Sequence, residues 1–264
     1  MKTRIIIAAA LLAAACTPGK SDLEKYALNC KAEEIALQSD TLEFPYIVRF
    51  NPDGQVREVI TRNFDLTTRY TETYTYDDKN QLIEISGVNA DNETEQRHEY
   101  EHDGRFVKEC RVYGMNNQEM HRWVHTNDHR HIIRTEYFSE GEPAYITTKS
   151  YRGNTYKEQS VTPEGELIGE AEVEFLTEQK PTSIKSDMMD IEITYNEKGL
   201  PTMSRGTLLN SLGEMEWASD LDEHPCRYYS YEYDERGNWI SRAESVHPDS
   251  TAYSVLRRTI KYQK

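Results

Sequence analysis

Six segments of this chain share one form: a leading residue that is usually aromatic, three mostly polar residues, Gly or Asn, any residue, then an apolar or bulky one. They are FNPDGQV (50–56), YDDKNQL (76–82), YEHDGRF (100–106), VTPEGEL (161–167), YNEKGLP (195–201) and YDERGNW (233–239). Glycine makes up only 13 of 264 residues, so its return to one place in the pattern is a constraint on the fold. Acidic residues or Asn open a type I turn, and Gly or Asn accepts the positive φ at its end, which describes a β-hairpin. The flanks, such as RYTETYTY and QLIEISGV, are rich in β-branched and aromatic residues. Weaker turn signals fall near Asp65, Asn92, Asn116, Gly141, Asp187, Asn210 and Asp249. The chain therefore reverses about every 12 residues, enough for one strand and a tight turn. No stretch between the turns is long enough for a crossover helix. The pattern predicts an all-β fold: an antiparallel β-hairpin meander forming a curved sheet, an open or partly closed barrel.

The N-terminus has a different organisation. Lys2 and Arg4 precede an uncharged run from Ile5 to Ala15. That length suits a signal peptide and falls short of the roughly 20 residues that cross a bilayer. The run ends LAAAC (12–16), which resembles the lipobox of bacterial lipoproteins, with Ala13 where that family prefers Leu. The resemblance implies that Cys16 is lipidated and becomes the first mature residue. Thr17, rather than an aspartate, resembles the signal that sorts lipoproteins to the outer membrane. The expected organisation is a signal peptide (1–15), a lipidated tether (16–22) and a β domain (23–264) with an insertion near 215–226. The expected location is the outer membrane, lipid-anchored, on its periplasmic face or at the cell surface.

Loss of Lys2 and Arg4 moves the formal charge from −15 to −17. Such a surface repels nucleic acid and anionic headgroups, so attachment to a membrane must come from the lipid. With Cys16 lipidated, Cys30, Cys110 and Cys226 allow one disulfide at most, and three scattered cysteines make no framework. Ser21 and Glu24 suit a capping box, so residues 21–38 are read as a turn of helix leading into a first strand that caps the open edge of the meander.

In phase with these turns, YTYDDKNQLIEI and YEYDERGNWISR resemble YD repeats, the units of RHS-like proteins and of many small bacterial lipoproteins. The resemblance spans roughly residues 43–250 and implies a scaffold or binding surface; no catalytic residue carries over from it. It also settles HEYEH (98–102), a literal match to the zinc-protease pattern H-E-x-x-H. A zincin needs both histidines on one helical turn. Here Tyr100 and Gly104 fix a strand running into a turn, and four strand residues separate His98 from His102 by about 13 Å.

Six of the eight histidines lie between residues 98 and 131, and His125 and His131 flank a turn across which they could face each other. The insertion MEWASDLDEHPC (215–226) offers Trp217, Asp220, Asp222, Glu223 and His224, and long loops on repeat scaffolds carry binding groups. Tyrosine outnumbers phenylalanine 18 to 6, with four tyrosines in RYYSYEY (227–233). They serve cross-strand packing or form an aromatic platform for sugars or peptides. The candidate ligand contacts are Trp217, Asp220, Asp222, Tyr229 and Tyr231. No motif calls for a cofactor or a metal, and none supplies a nucleophile elbow. The sequence reads as a non-enzymatic lipoprotein with a binding or scaffold surface, its partner a glycan or an envelope protein. The alternative is a hydrolase acting on glycans or peptides through 215–226.

Overall fold

The computed structural model describes residues 22–39, 45–63, 65–177, 180–186, 189–208 and 226–263. These residues form a short helix, α1 (Asp22–Lys25), and eighteen strands. The first nine are β1 (Ala32–Ser39), β2 (Tyr46–Phe50), β3 (Val56–Arg62), β4 (Thr68–Tyr76), β5 (Leu82–Asn89), β6 (Thr94–Asp103), β7 (Phe106–Gly114), β8 (Glu119–Asn127) and β9 (Ile132–Ser139). The rest are β10 (Glu142–Arg152), β11 (Thr155–Val161), β12 (Leu167–Thr177), β13 (Lys180–Ser186), β14 (Met189–Tyr195), β15 (Pro201–Leu208), β16 (Cys226–Tyr233), β17 (Trp239–Ser245) and β18 (Ser254–Tyr262).

Each strand pairs antiparallel with the next in sequence, and β1 also pairs antiparallel with β18 through Ile35–Ile260 and Leu37–Arg258. The fold is thus the antiparallel all-β meander expected, but the barrel is closed rather than open or partly closed. Closure pairs the backbone groups that two free edges would leave to water or to another chain. The first segment consequently caps no edge.

The up-and-down topology sorts the connections into two sets. Those after even-numbered strands lie at one end with α1 and the last described residues, here termed the helix end. Those after odd-numbered strands lie at the far end. Five of the six repeated turns are at the helix end, but 161–167 joins β11 to β12 at the far end. Its local chemistry is the same, with the Gly165 N–H donating to Thr162 O at 2.9 Å. A turn signal spans few residues and does not encode which end it closes.

Four of the repeated turns share one geometry, whereas 100–106 closes as a two-residue turn, Gly104–Arg105, between the paired Asp103 and Phe106. Asn51, Asp77, Asn196 and Asp234 each accept, on Oδ1, the backbone N–H groups two and four residues on, at 2.8–3.1 Å. The residue three places on takes positive φ: Gly54 at 88°, Asn80 at 62°, Gly199 at 68° and Gly237 at 76°. The strand register slips by one beside each, as in a type I turn followed by a bulge. Side chains then staple neighbouring turns. Gln55 Nε2 donates to Asn80 O at 3.0 Å, and Arg105 Nη2 reaches toward His129 O at 3.4 Å.

The largest core cluster fills the helix end. Ile35, Val48, Phe50, Val56 and Trp239 are buried there, and Leu23 and Tyr26 of the first segment pack against them. Asp22 Oδ2 accepts the Val56 N–H at 2.6 Å and lies 3.0 Å from the Tyr76 hydroxyl. Tyr26 meets the ring of Phe50 edge-on at 5.5 Å. Arg258, stacked 3.9 Å over Trp239, donates to Tyr26 O at 2.6 Å and Ala27 O at 3.3 Å. Asn238 is wholly buried and accepts the Asn29 N–H at 2.6 Å. The first segment is a plug in one mouth of the barrel. Two smaller clusters, around Val112 and around Val173, line other parts of the wall.

Candidate functional site

Which face of each strand points inward follows from the plugged end. Tyr46, Tyr74 and Tyr231 stand on strands that are not all neighbours, yet all pack against the same cluster, which is possible only across the lumen. Register carries that face around the wall. One inward row runs Tyr74, Ile85, His98, Val112, His121. The next runs Tyr100, Cys110, Trp123, Tyr137, Tyr145. A third runs His125, Thr135, Thr147, Ser160. His98, His121, Trp123 and Tyr137 face inward yet keep part of their surface exposed, so the lumen between the clusters admits water. A barrel of roughly 16–18 strands is wide enough for that.

The lining is aromatic and polar together. Trp123 and Tyr137 have ring centroids 5.1 Å apart, and Tyr137 and Tyr145 have theirs 4.7 Å apart. The Tyr137 hydroxyl lies 2.8 Å from His121 Nδ1, and His125 Nδ1 lies 2.9 Å from Thr135 Oγ1. Lys149 and Glu158 form a nearly buried ion pair at 3.2 Å. Burial, and then the charge of Lys149, lower the pKa of His125 to about 4; burial and the proximity of His121 lower that of His98. A histidine beside a threonine hydroxyl is the pattern of an activated nucleophile. With a pKa so far below neutral, His125 is a weak base at neutral pH, and the pair is better suited to holding a hydroxyl.

On the opposite wall, Tyr229 and Tyr231 face the lumen, since Tyr231 packs against the helix-end cluster and Tyr229 stands two residues from it on the same strand. The Tyr229 hydroxyl is 3.2 Å from Ser204 Oγ, and the Tyr231 hydroxyl donates to Pro201 O at 2.9 Å. Arg242 lies 5.6 Å from the Tyr229 ring, and its Nε is buried without a hydrogen-bond partner among the described residues. These two tyrosines are the candidate contacts that the structure places in the lumen. Trp217, Asp220 and Asp222, the insertion, and Cys16 with its signal peptide lie outside the described residues.

HEYEH is on β6, not on a helix, with His98, Tyr100 and His102 on its inward face. His125 and His131 do not face each other across their turn, because His131 stacks on Tyr151 at 4.0 Å while His125 is held by Thr135. Among the described residues no group of three or more His, Cys, Asp or Glu is placed to hold a metal ion. No disulfide joins Cys30, Cys110 and Cys226 among the described residues. The sequence reading missed Trp123, Tyr137 and Tyr145. For the first two the signal is the alternation of aromatic and polar residues in HRWVHT and TEYFS, legible only once the inward face is known.

The outer wall carries the opposite set. Glu34, Arg49, Glu58, Thr73, Ser86 and Arg97 stand in one outward row. Arg49 bridges Glu34 at 2.9 Å and Glu58 at 2.8 Å. A second row sets Glu84 beside Glu99, Arg111 and Arg122. The ends differ too. Among the described residues, the far-end connections (63, 65–67, 90–93, 115–118, 140–141, 162–166 and 246–253) contain seven Asp and Glu and no Lys or Arg. The described helix-end turns contain seven acidic residues and five Lys or Arg.

No protein-family model matches the sequence, and no curated protein matches it as a relative. Among solved structures, the chain is similar to a porin-like protein from Bacteroides uniformis ATCC 8492, with 11% identity over 87% of this chain and 98% of that one and a TM-score of 0.44. It also resembles part of the TcdB2-TccC3-Cdc42 structure, with 14% identity over 80% of this chain and 12% of that one and a TM-score of 0.32. A porin-like protein from Bacteroides vulgatus ATCC 8482 aligns over 89% of this chain and 99% of its own, with 6% identity and a TM-score of 0.27.

Proposed function

We propose that this is a non-enzymatic lipoprotein of the YD-repeat kind, tethered to the outer membrane through Cys16, whose barrel stands in water and binds a ligand in its lumen. The observation that carries the reading is the charge on the outer wall. A membrane-spanning barrel needs an apolar outward band, and each Arg or Lys near the bilayer midplane costs about 2–4 kcal/mol. Arg49, Arg97, Arg111 and Arg122 sit in outward rows. A water-facing barrel beside a lipobox-like cysteine needs its lipid to stay at a membrane. The ends agree with this orientation, since the tether leaves from the helix end and the acidic end points away from anionic headgroups. That acidic rim repels anions, so the lumen suits a neutral, hydroxyl-rich or cationic ligand: a glycan or a peptide, held on Trp123, Tyr137, Tyr229 and Tyr231.

The test is Cys16→Ser in cells fed a labelled fatty acid. Wild type should carry the label and partition with detergent; the variant should lose the label and be recovered as soluble barrel without detergent. A variant that stays in the membrane fraction through a high-salt wash, which strips contacts to charged headgroups, means that the wall itself is embedded, and the proposal fails.

A further inference from the structure

A cavity of about 210 Å³ opens at the helix end, between the plug and the β14–β15 and β16–β17 turns. Leu28, Leu200 and Trp239, all buried, make its apolar surface, and Lys180 and Lys198 stand at its edge. Lys198 Nζ sits 3.8 Å over the Tyr233 ring and donates to Gly237 O at 3.0 Å. Lys180 Nζ lies close against Gly199, and no hydrogen bond or ion pair with a described residue holds it. The chain has 46 acidic residues against 31 basic ones, yet no carboxylate lines this cavity and neither ammonium is paired with one among the described residues. Two cations above an apolar floor, free of acids, make a receptor for an anion attached to an apolar body.

The place of the cavity says which anion. Five residues (17–21) lie between Cys16 and Asp22, a reach of at most about 20 Å. If Cys16 is acylated, the helix end is held against the headgroups. The acidic far end does not oppose this, because a strand of this length sets the two ends about 20 Å apart, beyond the roughly 8–10 Å Debye length of physiological salt. We propose that the Lys180–Lys198 cavity receives the phosphate of an anionic membrane phospholipid, with its glycerol and first methylenes against Leu28, Leu200 and Trp239. The proposal rests on the lipid-anchored reading and adds a second, reversible contact that fixes how the barrel sits on its membrane.

The test uses the full Cys16→Ser chain, which has no acyl anchor, in flotation with vesicles of phosphatidylcholine alone or with about a third phosphatidylglycerol. Binding should need phosphatidylglycerol and fall about tenfold in the Lys180→Gln/Lys198→Gln double variant. The Lys180→Arg/Lys198→Arg pair should retain it, with unchanged melting in both. Equal flotation with both vesicles, or full binding by the glutamine pair, overturns the proposal. So does saturable binding of inorganic phosphate without vesicle recruitment, which makes the cavity a site for free phosphate. Fatty-acid labelling of wild type reports the anchor separately: a labelled protein without lipid preference loses the cavity proposal alone.

Discussion

Asn238 is the residue whose loss should most clearly open the plugged end. It has no exposed surface and joins three parts of the chain. Its Oδ1 accepts the Asn29 N–H at 2.6 Å; its Nδ2 donates to the Tyr262 hydroxyl at 2.9 Å and lies 3.5 Å from Cys30 Sγ. Asn238→Ala removes two good neutral hydrogen bonds, about 1 kcal/mol each, and strands the partners for about another 1 kcal/mol, the low end because water can reach the exposed Asn29. The expected loss is ~3 kcal/mol, or roughly 6–12 °C in melting temperature for a chain of this size. Asn238→Asp keeps the acceptor but buries a second carboxylate beside Asp234. Its pKa is then raised in the folded state, so its destabilisation should be greatest at neutral pH and ease on acidification. Thermal unfolding followed by circular dichroism measures both. An alanine variant melting within about 2 °C of wild type would mean that the plug is not held through this residue.

Gly104, at φ 61°, has no heavy atom within 4 Å of where a Cβ would stand, whereas at Gly237, φ 76°, that Cβ would be 3.4 Å from Asn29 Nδ2 and Lys198 Nζ. Gly104→Val should cost at least about 1 kcal/mol through backbone strain alone, Gly237→Val more, and Gly104→Asn should recover most of the loss; three equal melting curves would contradict the turn assignment. His125 has a folded pKa of about 4, depressed from the 6.5 of an exposed histidine, so the unfolded state binds the extra proton first as pH falls. Stability should therefore drop between pH 6.5 and 4, by up to about 3 kcal/mol from this residue, and denaturant titrations of His125→Gln should show a shallower drop; parallel curves would refute it.

The turns were legible because their chemistry is local. Asp77 holds the N–H groups of Lys79 and Gln81, and Asn80 takes the positive φ, all within five residues. Closure was not legible, since β1 meets β18 across more than two hundred residues and nothing in either strand marks the other as its partner. The role of residues 22–31 was hidden for the same reason. A short amphipathic turn reads alike whether it covers an edge or fills a mouth, and Arg258 and Asn238, which hold it, lie at the other end of the chain.

The same limit governs the lumen, and it explains why the best candidate site was missed while two of its tyrosines were found. In a membrane barrel the period-two alternation places apolar residues outside and polar ones within; here Arg49 and Glu58 are outside while Val48 and Val59 are within. The two arrangements give the same alternation, and a single strand cannot distinguish them. Position relative to the turn does. In FNPDGQV and YDERGNW the leading aromatic, Phe50 or Tyr233, packs in the helix-end cluster, so every second residue from it along the strand also points inward. Counting back from Tyr233 selects Tyr231 and Tyr229, and counting back from Tyr100 selects His98. The repeat that sets the turns therefore also sets which side chains a ligand can meet, through backbone pleat alone.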